Sequence, residues 1–206
     1  MRRPPSTALL AALTVVVCAE EGSAFAQSSH HNYVELRGAV TRNGLYRYAE
    51  FSRAFRNKAV LDVLYIGNPG QNEFYGGLGY QLSATPSLAV TPLLYGVIGK
   101  ENGERGVALG AFVSGTAGQW SVYSFLGHFR PIEGSVPAYT FLDSFDVSRK
   151  VQAWEFGLST GFFYLDETWN PQVGPVAIRN DHAGAWRFYI RGGTNFEGRL
   201  GRTFSF

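Results

Sequence analysis

The chain ends in NFEGRLGRTFSF, Asn195 to Phe206, and the reading of this stretch decides the fold. Its even-numbered positions are mostly apolar or small: Phe196, Gly198, Leu200, Phe204 and Phe206. Its odd-numbered positions are polar or small: Asn195, Glu197, Arg199, Gly201, Thr203 and Ser205. Alternation with period 2 puts one set on each face of a β-strand. Arg202 is the exception, since its parity places a charge on the apolar face. Taken alone, the stretch fits either an amphipathic strand of a soluble sandwich or the wall of a barrel.

The same alternation recurs upstream. It is clearest in Val151–Tyr164, where Trp154, Phe156, Leu158, Phe162 and Tyr164 share one face and Ala153, Glu155, Gly157, Ser159 and Gly161 the other. A face of large aromatics opposed to one of glycine and serine suits a wall with lipid outside and a narrow lumen inside. Further strands are predicted at 33–41, 45–55, 59–66, 73–82, 88–98, 106–114, 119–129, 138–148, 173–180 and 186–191. In 138–148, Tyr139, Phe141, Phe145 and Val147 are expected on one face and Thr140, Ser144, Asp146 and Ser148 on the other, with Asp143 breaking parity. Asn43-Gly44 is a hairpin signal. Arg149-Lys150 reads as a tight turn, and Arg130–Pro137 and Leu165–Gln172 read as loops. Pro92 and Pro175 each remove a ladder donor from a strand.

Composition agrees. The 206 residues include 16 Phe, 11 Tyr, 4 Trp and 25 Gly, which favours strands over helices. A net charge of +2 gives no basic field for nucleic acid. Residues 1–26 are expected to be a signal peptide: Arg2 and Arg3 precede a short apolar run from Ala8 to Val17, and Ala24-Phe25-Ala26 offers a cleavage site. Cys18 lies within that leader, so residues 27–206 carry no cysteine. The expected domain, 27–206, has no run of about twenty apolar residues able to cross a bilayer as a helix. Its route across is a closed barrel.

The terminal Phe206, the alternating aromatics before it and the leader together resemble the bacterial outer-membrane β-barrel proteins in general. The resemblance implies an all-β, antiparallel up-and-down transmembrane β-barrel of about twelve strands. The count becomes eight or ten if weak segments such as 173–180 and 59–66 pair outside the membrane. It also implies outer-membrane lipid around the wall, both chain ends in the periplasm, and recognition of Phe204 and Phe206 as the signal for the barrel-assembly machinery.

Chemistry is sparse. Ser124 and His128 share a strand face, but four residues place them about 13 Å apart, too far for a nucleophile and its base. No enzyme and no cofactor is expected. His30 and His31 lack partners at metal-binding spacing. The pairs Asp143/Asp146 and Asp166/Glu167 are weak calcium candidates, and solvated charge is the simpler reading. The constellation that remains is a charged wall. Arg187, Tyr189 and Arg191 are expected to face Glu197 and Arg199 across the ladder, with Glu35 and Arg37 beside them once the first strand pairs with the last. Such a wall is either a selectivity surface for small anionic or sugar-like solutes or an internal salt-bridge network filling the lumen. The expected function is a small passive channel. An adhesion or assembly barrel acting through its outer loops is the alternative, and a lipid-modifying enzyme a more distant one.

Overall fold

The structure is a computed structural model that describes residues 32–69, 71–85, 87–99 and 104–206. The expected leader, His30 and His31 lie outside the described residues. Thirteen strands follow one another: β1 Tyr33–Thr41, β2 Gly44–Ala54, β3 Ala59–Asn68, β4 Gln71–Tyr80, β5 Leu82–Thr85, β6 Leu88–Gly99, β7 Arg105–Ala117, β8 Trp120–Glu133, β9 Tyr139–Val151, β10 Trp154–Leu165, β11 Thr168–Asp181, β12 Gly184–Gly193 and β13 Glu197–Ser205. All belong to one sheet, and every pairing is antiparallel. β1 pairs with β13, Tyr33 opposite Ser205 and Thr41 opposite Glu197, and β4 pairs with β6. The sheet therefore closes on itself, with only the short β5 paired on one side alone.

β4 and β5 are two halves of one stave. Gly79 opposes Leu93 and Leu82 opposes Val90, so the register continues unshifted across the gap. The gap lies opposite Pro92, which has no N–H to give. The barrel thus has twelve staves, the expected number. Pro175 acts the same way: the β11–β12 ladder is interrupted between Val173 and Val176 without losing register.

The side chains invert the order of a soluble protein. Leu78, Leu94, Leu109, Leu158 and Ile190 point outward and are more than half exposed, whereas Asp62, Glu50, Asp146 and Arg191 point inward and are buried. An apolar exterior of this extent is stable against hydrocarbon rather than water. Outward aromatics gather near both ends of the wall. Trp186 and Phe204 lie at the end bearing the termini, where Phe206 also stacks on Phe51. At the opposite end Trp169 sits against Phe162 and Tyr164, each with ring centroids 4.7 Å away.

Three boundaries differ from the sequence reading. The segment Leu165–Gln172 is no loop: Asp166 and Glu167, both at positive φ (47° and 62°), make a two-residue hairpin turn. Positive φ at both central residues is the twist that joins antiparallel strands tightly. Pro171, which suggested a loop, sits at an outward position of β11, as does Pro175 within the expected strand. The turn expected at Arg149-Lys150 falls at Gln152-Ala153, with Gln152 at φ 59°, so the long strand starts at Trp154 and not Val151. β8 continues through Arg130 to Glu133 into what read as loop.

The fourth difference matters most. Phe125 opposes Ser144 but Leu126 opposes Leu142, and Thr160 opposes Phe145 while Phe162 opposes Leu142. β9 therefore carries one extra residue, Asp143, against both neighbours. A bulge of this kind reverses parity. Ser144, Asp146 and Ser148 face the lumen on one side of it, and Tyr139 and Phe141 on the other. The expected grouping of Tyr139 and Phe141 with Phe145 and Val147 is thereby corrected.

Glycines facing the ladder set the curvature. A Cβ on Gly174 would run into the Ile190 carbonyl and stand 2.9 Å from Arg191 Cα, both rigid backbone. A Cβ on Gly76 would meet nothing within 4 Å. Gly174→Val is expected to cost about 3 kcal/mol or more by forced backbone displacement, and Gly76→Ala to stay within about 0.5 kcal/mol. Urea unfolding in detergent, followed by the heat-modifiable mobility of the folded barrel, measures both. Equal stability of the two variants would refute this account of the wall.

Candidate functional site

The interior is divided. On the β3–β9 side it is filled by Leu64, Tyr75, Leu93, Tyr95, Phe125 and Phe129, stacked closely enough that a Cβ on Gly77 would enter the Tyr95 ring. The hydroxyls on this side are satisfied within the lumen. Tyr95 donates to Asp62 at 2.8 Å, and Tyr75 lies 2.7 Å from both Glu73 and the Tyr139 hydroxyl.

The other side is charged, and it is where the sequence places the candidate residues. Alternation on β1, β12 and β13 turns Glu35, Arg37, Arg187, Tyr189, Arg191, Glu197 and Arg199 inward together. The ladder sets Arg191 opposite Glu197 and Tyr189 opposite Arg199. Arg187 and Arg37 both oppose Gly201, one from each side. Gly201 leaves room between them, since a Cβ there would stand 2.9 Å from Arg37 Cγ. The expectation that Arg187 would face Glu197 or Arg199 directly is thus corrected by one step of register.

The arginines are held by carboxylates. Glu197 accepts from Arg191 Nε at 3.0 Å through one oxygen and from Arg199 Nε at 2.8 Å through the other. Asp143 accepts from Arg37 Nη1 at 2.5 Å and from Arg199 at 2.9 and 3.1 Å. Its backbone carbonyl accepts from Arg191 Nη1 at 2.7 Å. Arg37 also stands 3.1 Å from Glu35, an ion pair without hydrogen-bond geometry at Nε, and its guanidinium lies 3.5 Å over the Tyr48 ring. Glu50 accepts from Tyr33 at 2.5 Å and from Tyr48. Asp146 accepts from Tyr189 at 2.7 Å.

Arg187 differs from the other three. It rests 4.7 Å over Tyr123, it makes no ion pair within 4.0 Å among the described residues, and its buried Nε has no hydrogen-bond partner. Of the four arginines it is the one with no carboxylate within ion-pair distance among the described residues.

The sequence reading missed Glu50 and Asp143 as members of this wall. Glu50 was findable, because pairing β1 with β2 sets it opposite Glu35. Asp143 announced itself as a break in alternation, but its partners, Arg37 and Arg199, lie 106 and 56 residues away. The calcium reading of Asp143/Asp146 gives way to arginine and tyrosine contacts, and no cluster of three metal-ligating side chains occurs among the described residues. Asp166 and Glu167 form the tight turn. Ser124 and His128 both fall in the outward set of β8, and His128 bonds to Thr140 at 2.8 Å rather than to Ser124.

Arg202 also finds its reason. On the outward face it is clamped by Asp181 at 2.9 and 3.0 Å, with its guanidinium about 5 Å from the rings of Trp186 and Phe204. Phe204 is thus part of an aromatic box at the rim. Phe206 is exposed, with its N–H bonded to the Asn32 carbonyl at 3.1 Å.

Magnitudes separate the inner pairs from the surface ones. Removing one partner of a buried pair leaves an uncompensated charge, so Glu197→Ala is expected to cost about 3–5 kcal/mol. The Arg105–Glu133 pair is 3.5 Å long with side chains 69% and 61% exposed, and Arg105→Ala is expected to cost less than about 1 kcal/mol. Urea titration of both variants checks the contrast, which fails if the two midpoints shift alike.

No family model and no curated protein matches the chain. Solved structures do. The KdgM porin in complex with disordered oligogalacturonate superimposes with a TM-score of 0.66 at 11% identity, over 84% of this chain and 99% of that one. A second KdgM porin structure gives 0.64 at 12% with the same coverage. The NanC porin gives 0.55 at 11%, again over 84% of this chain and 99% of that one. At such identity the likeness is one of fold: the chain is a closed twelve-strand barrel similar to those porins over their whole length.

Proposed function

We propose that the barrel is a small passive channel of the bacterial outer membrane for small polar or anionic solutes. One observation carries the reading: a charged wall faces an apolar one inside the same lumen. Tyr75, Tyr95, Phe125 and Phe129 show that this chain can fill a barrel with aromatics. Buried ion pairs are on balance no more stabilising than apolar residues of similar volume. Packing therefore gives no reason for Arg37, Arg187, Arg191 and Arg199 to occupy the opposite wall, whereas passage of polar solutes does. The fold similarity to the KdgM and NanC porins supports the same reading, and so does the oligogalacturonate named with one of them. The leader over residues 1–26 supplies export, and Phe204 and Phe206 the assembly signal. No catalytic role is assigned.

A second reading, a closed barrel binding a partner through its loops, draws on a different observation. Arg191 and Asp146 are each only 1% exposed, so the wall is tightly covered. Planar-bilayer recording of the purified protein decides between them. The channel reading expects discrete conductance steps with anion preference, and a fall in that preference in Arg187→Ala. Absence of current from correctly folded protein would leave the closed barrel.

A further inference from the structure

We infer that Asp143 is a latch across the lumen that sets both its opening and its ion selectivity, an inference resting on the channel reading above. In the sheet order β1, β13, β12, β11, β10, β9, the strand carrying Asp143 stands five places from β1 in a ring of twelve, nearly opposite. The bond from Arg37 to Asp143 therefore crosses the lumen, and the bond from Arg199 crosses four places. The other ion pairs inside the lumen among the described residues do not. Glu197 joins Arg191 on the adjacent strand and Arg199 on its own, and Glu35 and Glu50 meet Arg37 from the same and the neighbouring strand. Arg187 reaches across as well, but only onto the Tyr123 ring, so among the described ion pairs Asp143 alone ties the arginines of the charged wall to the far side.

The bulge is what makes this possible. In regular alternation, with Ser144 facing inward, Asp143 would point into lipid. The extra residue turns both inward at the level of the arginines. The strand behind it is adapted as well. Gly161 lies across the bulge on β10, and a Cβ there would stand 2.7 Å from Arg191 Nη1 and 3.1 Å from the Asp143 carbonyl oxygen. Glycine clears the path by which Arg191 reaches that carbonyl. One residue of β9 thus holds side chains from β1, β12 and β13.

The electrostatic consequence has a definite sign. Among the described residues Asp143 is the one carboxylate shared by Arg37 and Arg199, so removing it leaves the wall one charge more positive and releases both side chains from the far side, each still paired on its own wall with Glu35 or Glu197. The lumen then widens and favours anions. Removing the two arginines instead opens the same strut but leaves the wall more negative.

The test compares full-length wild type, Asp143→Ala, Asp143→Asn and the double variant Arg37→Ala/Arg199→Ala in planar bilayers under a potassium chloride gradient. Heat-modifiable mobility reports folding. The latch expects single-channel conductance above wild type in Asp143→Ala, with the reversal potential moved toward that of chloride. Asp143→Asn keeps an acceptor but not the charge and is expected to shift selectivity the same way. The double variant is expected to raise conductance and move the reversal potential away from chloride. If Asp143→Ala does not fold, the asparagine and double variants carry the test. Folded variants with wild-type conductance and reversal potential overturn the latch, as does silence of every variant. A silent wild type beside a conducting Asp143→Ala removes the passive channel and keeps the latch.

Discussion

Everything in this chain follows from the need to leave no sheet edge. A strand edge in hydrocarbon exposes N–H and C=O groups that no water can satisfy, each at a cost of several kcal/mol. The chain meets this by pairing β1 with β13 over nine residue pairs, Tyr33–Ser205 to Thr41–Glu197. Where a proline breaks a ladder, the defect stays local. Opposite Pro92 the stave divides into β4 and β5, while on its other side Gln81, in the gap, still donates its N–H to the Lys58 carbonyl and extends the β3–β4 pairing. Register survives on both sides because the side-chain period would otherwise carry apolar residues into the lumen.

Closure fixes the circumference, and the circumference fixes how much must be placed inside. Twelve staves enclose more space than one layer of small side chains can fill. The sequence meets that demand in two ways, with stacked rings on one side and paired charges on the other. The two fillings meet at β9: Tyr139 bonds to Tyr75 on the aromatic side, while Asp143 and Asp146 receive arginine and tyrosine donors from the charged side. This strand belongs to both walls because its bulge lets consecutive residues, Asp143 and Ser144, face inward.

Much of the fold was legible because period 2 is a local signal. The faces of β1, β4, β10 and β13 follow from parity alone, and so does the inward set Glu35, Arg37, Arg187, Arg191, Glu197 and Arg199. What was not legible depended on single residues with non-local causes. Asp166 and Glu167 take positive φ without being glycine, so no turn signal marked the β10–β11 hairpin. Proline at 171 reads as loop until the outward face of a barrel is known to tolerate it. The bulge at Asp143 appears in sequence only as a break in alternation, indistinguishable from the break at Arg202. One break is a change of register, and the other is a charge left on the lipid side with its own partner.

That contrast shows how the barrel treats charge at the wrong parity. Arg202 keeps its register and is neutralised where it lies, by Asp181 and the faces of Trp186 and Phe204 near the rim, where a long side chain can reach the interface. Asp143 has a short side chain and is the fifth residue of the thirteen in β9, inside the paired strand on both sides. A carboxylate held on the lipid side by so short a side chain lacks the reach that lets Arg202 snorkel, and its basic partners among the described residues all lie inside the lumen. Turning the backbone is the remaining solution. A bulge gives up local ladder pairing, a loss smaller than that of an isolated ion in hydrocarbon. The same displacement that removes Asp143 from lipid delivers it to Arg37 and Arg199, so the rule that keeps charge off the outer wall also builds the strut inside.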